Sequence, residues 1–147
     1  SETCAPYLTS TKGHSCSDYS ACPGVARVSK SYEKKHQGEQ AIQREILRNG
    51  AVVVDWYSPP YAKTYKKGIF GQEGSDDSLS LMQQSGEIVP NHASVLLGWG
   101  EDKGQKYWIL RNSFGEDFGM GGHMLIERGK NSFAIEQTIA AFDVELV

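Results

Sequence analysis

The sequence predicts an α+β domain: antiparallel strands in a β-barrel-like arrangement, with one main helix near residues 39–49. Three observations carry that expectation. Runs of β-branched and aromatic residues recur at nearly even intervals through the second half of the chain, divided by glycine-containing turns, as in an antiparallel sheet or small barrel. Only one stretch keeps an amphipathic helical period. Glycine supplies 16 of 147 residues, about 11% against a usual ~7%, which favours strands and turns over a helical bundle.

Along the chain, residues 1–38 are rich in Ser, Thr, Gly, Lys and Cys without sustained periodicity. They read as a disulfide-stapled loop region ahead of a β domain over 39–147. Within 39–49, Ile42, Ile46 and Leu47 share one helical face with Gln43, Arg44 and Arg48 opposite, and Gly50 supplies a left-handed stop. Residues 51–57, Ala-Val-Val-Val-Asp-Trp-Tyr, form a strand that ends at Pro59-Pro60. Residues 61–70 bend around Lys66-Lys67-Gly68 into a further short strand, and 71–90, polar and Ser/Asp/Gln-rich, form a surface excursion. Four more strands are expected at 94–99, 106–111, 123–127 and 135–144.

Charge narrows the function classes. Fifteen Lys and Arg against 18 Asp and Glu leave a formal net charge of −3, too little positive field for a broad grip on nucleic acid or on anionic lipid. No apolar run approaches the roughly 18 residues of a membrane helix. The start Ser1-Glu2-Thr3-Cys4 has no initiator Met, basic segment or apolar stretch, so it does not read as a signal peptide. Cys4, Cys16 and Cys22 are the only thiols. An odd number implies a free thiol or a partner outside this chain, and spacings of 12 and 6 without a C-x-x-C argue against a zinc site that would include His14.

Among the histidines, His14 and His36 read as solvated, and His123 as packed or capped at a strand start. His92 stands apart: it follows Val89-Pro90-Asn91 and precedes a strongly apolar strand, which brings its imidazole to the rim of a sheet. Alone, that is a hydrogen-bonded structural histidine. The next strand ends in Asn112-Ser113-Phe114-Gly115. If the two strands are antiparallel neighbours, Asn112 comes within reach of His92, and an imidazole oriented by a carboxamide is half of a nucleophilic device. The nucleophile is missing, since none of the three cysteines stands at a helix start where its pKa would fall.

These residues resemble the papain-like cysteine peptidases. Asn91-His92-Ala93 followed by Leu97-Gly98-Trp99-Gly100 is similar to that family's N-H-A and G-[YW]-G. Tyr107-Trp108-Ile109, Asn112-Ser113-Phe114-Gly115 and Phe118-Gly119 resemble its Y-W-x-x-x-N-S-W-G and W-G. Gly121-Gly122-His123-Met124 to Arg128-Gly129 is similar to the strand that follows, and Ala134-Ile135-Glu136 resembles the A-I-E of the cathepsin branch. The resemblance implies the right-hand half of the papain fold, the half that carries His and Asn. The family places its Cys roughly 130–150 residues before them, and only 91 residues precede His92. The thiol is therefore expected upstream of Ser1 or on another chain, in a Cys-bearing left-hand half.

By the same resemblance His92 is the catalytic base and later acid, and Asn112 its orienter. Asn91 and Ala93 flank the cleft, Phe114 replaces a Trp on the leaving-group side, and Phe118 replaces another. Thr138 closes the pocket for the second residue before the scissile bond, and being uncharged gives no expectation of a basic preference. Cys4-Ala5-Pro6-Tyr7 and the order of cysteines resemble cathepsin C and related lysosomal cathepsins. This implies a Cys4–Cys22 disulfide, a bridge from Cys16 to the missing half, and a chloride ion with Tyr32 among its contacts. No other cofactor is implied. The expected function is peptide-bond hydrolysis by a Cys-His-Asn mechanism, in a dipeptidyl-peptidase-like or an endopeptidase mode. The expected location is an oxidising compartment, the lysosome, the vacuole or the exterior. Two alternatives stand beside it: an inactive papain-like structural or interaction protein, and a stand-alone β domain that binds a ligand in its cleft.

Overall fold

The computed structural model describes residues 26–35, 38–71 and 77–146, without the side chains of residues 26, 32–35, 77, 78, 80 and 83. In chain order the elements are β1 (Ala26–Lys35), α1 (Gly38–Asn49), β2 (Val52–Trp56), a 3₁₀ turn (Pro60–Thr64), β3 (Ile69–Phe70), α2 (Asp77–Ser85), β4 (His92–Asp102), β5 (Gln105–Arg111), β6 (His123–Glu127), a 3₁₀ turn (Ser132–Ala134) and β7 (Thr138–Leu146). The strands make one seven-stranded sheet in the order β1-β7-β2-β4-β5-β6-β3. All pairings are antiparallel except the two-residue β3–β6 contact, which is parallel. The sheet is therefore mixed, with β1 and β3 as its edges.

The helix packs on β4, β7 and β2. Its Ile42 joins Val52, Val54, Trp56, Leu96, Ile139 and Ala141 in the core. It stops as the sequence requires: Gly50 has φ 85°, and its N–H donates to Ile46 O at 2.9 Å, a conformation that costs glycine little. The buried face differs from the expected one. Leu47 is 76% exposed, while Glu45 is 5% exposed and accepts from the Asn49 amide one turn on. A satisfied carboxylate thus takes the inward position that periodicity assigns to leucine. We expect Leu47→Gln to change stability by no more than about 0.5 kcal/mol and Ile42→Ala to cost about 2–5 kcal/mol, read from urea midpoints.

Four other expectations are corrected. Within the region read as loop, Ala26–Lys35 is a ten-residue edge strand paired along its length with β7. The surface excursion contains α2, whose Leu79 is buried and whose Met82 packs on the core. β4 begins at His92 itself rather than at Ser94. The last strand begins at Thr138, not Ile135, because Ile135 is a fully buried αR residue closing the preceding 3₁₀ turn.

Candidate active site

β4 and β5 run antiparallel with Val95 opposite Arg111. One step further along the ladder, Asn112 stands across from Ser94 and is a diagonal neighbour of His92, within side-chain reach. His92 Nε2 lies 2.9 Å from Asn112 Oδ1. The same oxygen accepts the backbone N–H of Ser113 at 2.8 Å. A backbone N–H can only donate, so that bond fixes which end of the carboxamide faces the ring. His92 then carries its proton on Nε2 toward Asn112, and Nδ1 is left as the nitrogen available to a thiol.

The loop from β5 to β6 holds Asn112 in place. Asn112 N–H donates to Gly122 O at 3.0 Å, Gly122 N–H to Phe118 O at 2.7 Å, and Met120 N–H to His123 O at 2.9 Å. Gly119 is required here: at φ +57°, a Cβ would lie 2.4 Å from His123 O. Asn112 is itself 5% exposed, and its Nδ2 is buried with no hydrogen-bond partner among the described residues.

Aromatic rings clamp the imidazole. Phe114 stacks on it, with centroids 5.4 Å apart and planes at 25°. On the core side Trp56 meets its edge at 5.7 Å, with the indole N–H donated to Ser94 Oγ at 3.1 Å. Phe114 leans edge-on against Phe118 at 5.2 Å, and Phe118 lies tilted on Tyr65 at 6.0 Å. Burial pushes the Tyr65 hydroxyl above its usual pKa, against the opposing effect of the Leu125 backbone N–H. That hydroxyl donates to Gly68 O at 2.6 Å and accepts from Leu125 N–H at 3.2 Å. Water is thus kept from most of the His–Asn pair, although Phe114 remains 40% exposed.

The other expected site residues divide. Asn91 caps the segment after β2: its Oδ1 accepts Ser58 N–H at 2.7 Å and its Nδ2 donates to Ser58 O at 3.3 Å. With Tyr57, Lys63, His92 and Phe114 it borders a cavity of about 490 Å³. Ala93 turns to the opposite face of β4 from His92. There it joins Thr138 through a residue that pattern reading passed over, Asp55, which pairs with both. Trp56 was likewise missed as a site residue. Its signal was the register of β2 on β4, which sequence spacing does not supply. The backbone of Tyr32 stands opposite Ala141 on the edge strand; its side chain, together with Cys4, Cys16, Cys22, His14 and His36, lies outside the described residues. His123 Nδ1 lies 3.0 Å from Gly121 O, a turn contact away from the cleft. Among the described residues no cluster of His, Cys, Asp or Glu is arranged to hold a metal, and no helix is long and apolar enough to cross a membrane.

A family model described as "Papain family cysteine protease" matches residues 1–142. The chain belongs to the papain family of cysteine proteases. Cathepsin B-like cysteine proteinase 1 of Haemonchus contortus is 32% identical over 163 residues, covering 95% of this chain and 44% of that protein. Dipeptidyl aminopeptidase 1 of Plasmodium falciparum (isolate 3D7) is 36% identical over 112 residues, 67% of this chain and 16% of that protein. Among solved structures, procathepsin B S9 from Trypanosoma congolense superposes with a TM-score of 0.74 at 28% identity, over 99% of this chain and 48% of the other. The papain-family chain thus spans less than half the length of these relatives.

Proposed function

We propose that this chain supplies the His–Asn half of a cysteine peptidase, completed by a Cys-bearing half that is upstream or on a separate chain. The observation that carries the reading is the Oδ1 of Asn112, which accepts from Ser113 N–H and His92 Nε2 together and so orients the imidazole with Nδ1 available. In this reading Nδ1 takes the thiol proton. The thiolate attacks the peptide carbonyl carbon. The imidazolium then protonates the departing amine as the C–N bond breaks, leaving a thioester. Water, deprotonated by Nδ1, hydrolyses the thioester and restores the thiol. Phe114 and Asn91 line the side from which the amine leaves, and Ala93 and Thr138 the acyl side. No cofactor takes part.

A second feature supports the missing half. The face of β2, β4 and β7 turned away from α1 is largely apolar: Val53, Val95, Leu97, Ala140 and Phe142 lie on it, with Leu97 43% and Phe142 37% exposed. Such a face fits a second domain docked against it. Similarity to Dipeptidyl aminopeptidase 1 supports a dipeptide-releasing mode, which sizing the released products decides. Three cysteines near the start support an oxidising compartment, lysosomal, vacuolar or extracellular.

The test is a thiol-directed epoxide probe applied to the assembled protein. We expect labelling on the Cys-bearing half that His92→Ala abolishes. No labelling with both halves present removes the peptidase reading and leaves an inactive scaffold, for which Phe114 and Phe118 in place of the family's tryptophans would be the sign.

A further inference from the structure

Resting on the peptidase reading above, we propose that Asp55 is a specificity-determining residue, whose carboxylate receives a Lys or Arg side chain on the acyl side of the bond to be cleaved. Asp55 pairs with Ala93 on β4 and with Thr138 on β7. The three therefore form one row across adjacent strands, at roughly 4.8 Å spacing. The row borders the Trp56–His92 pair. In strand order, Asn112 and Phe114 leave β5 on one side of His92, while Asp55 and Thr138 lie on β2 and β7 on the other. A peptide whose leaving part rests on Phe114 and crosses His92 lays its acyl part along this row.

The chemistry of the row is unusual for its setting. On the face of β2, β7 and residues 93–97 of β4 turned from the core, Asp55 is the one charged side chain; the rest are Val, Leu, Ala, Phe and Thr. Aspartate is disfavoured within a strand, and a carboxylate facing an apolar wall needs a cation or water. Asp55 is exposed, and among the described residues no donor or cation engages it, the row closing at Lys35 beyond Thr138. Its two neighbours are short, which leaves space on either side for a long side chain to approach. Arginine would meet the carboxylate with two parallel N–H donors, lysine with a point charge. Thr138 alone gives no reason for a basic preference; Asp55 beside it does.

The test uses the assembled enzyme and fluorogenic peptides that differ only at the second residue before the scissile bond, arginine against norleucine. The wild type should favour arginine in kcat/KM by about tenfold, the usual scale for a hydrogen bond to a charged group, and the ratio should fall as salt rises. Asp55→Asn should bring the ratio close to one, and Asp55→Glu should keep most of it. An arginine-to-norleucine ratio unmoved by Asp55→Asn overturns the proposal. So does an equal loss on both substrates, which would place Asp55 in the contact between halves. Absence of all thiol-dependent turnover in the wild type is a different failure: it removes the peptidase reading itself, and this proposal falls with it.

Discussion

On the proposed mechanism, replacing His92 by alanine is expected to lower kcat/KM of the assembled protein by on the order of 10⁴–10⁶-fold, the scale seen when one member of a nucleophile–base unit is removed. The size follows from what the ring does. In the proposed mechanism it takes the thiol proton, returns it to the departing amine and then activates water, and the other described histidine, His123, is engaged with Gly121 O instead. Asn112→Ala, which leaves the ring in place but frees its orientation, should cost far less, and mainly in kcat, because the substrate-facing surfaces are untouched. Single-turnover acylation with an ester substrate checks both. Activity of His92→Ala above a hundredth of the wild type would mean the base lies elsewhere.

The largest expected effect on stability belongs to Glu136. It is 5% exposed and accepts three hydrogen bonds: Trp108 Nε1 at 2.9 Å, Gly129 N–H at 2.6 Å and Asn131 N–H at 3.2 Å. Its own N–H donates to Asn131 Oδ1 at 3.0 Å, and its carbonyl accepts Gly38 N–H at 3.2 Å at the start of α1. The turn it secures is strained, with Asn131, Phe133 and Ala134 at φ 52°, 56° and 63°, in the left-handed region that non-glycine residues rarely occupy. Glu136→Ala strands three donors at once, and we expect a loss of about 3–5 kcal/mol. Glu136→Gln keeps the Oε1 bonds and should cost about half as much or less. Urea unfolding of the assembled protein distinguishes them; equal losses for the two variants would show that packing rather than hydrogen bonding sets the cost.

What was legible in the sequence, and what was not, follows from where the information lies. The helix up to Gly50 and the strand His123–Glu127 were plain, because periodicity and turn residues are local. The proximity of His92 and Asn112 followed from two strands with a short connection. β1 was hidden because Ala26–Lys35 is an edge strand of mostly charged and polar residues, whose alternation stops after Ala26 and Val28. Among the described side chains of α2, Leu79 and Met82 are the ones turned to the core, and two apolar positions do not set a period in a polar stretch. Ile135 looked like strand because it is apolar, while its burial comes from a 3₁₀ turn. Leu47 looked inward with Ile42 and Ile46, but the inward position is taken by Glu45, hydrogen-bonded to Asn49, and Leu47 is exposed. Asp55 was passed over inside an apolar run because its neighbours, Ala93 and Thr138, lie 38 and 83 positions away in the chain; only cross-strand register brings them together.

The Glu136 carboxylate has one more consequence. It anchors the segment that delivers Thr138 to β7, whereas the imidazole and its carboxamide are fixed through β4 and the β5–β6 loop. Thr138 and the His92–Asn112 pair therefore hang from different stretches of backbone. Loosening the turn over 129–137 would thus be felt first at Thr138 and only remotely at the imidazole, and because Phe133, Ala134, Ile135 and Glu136 are all buried, the stretch has little freedom to vary.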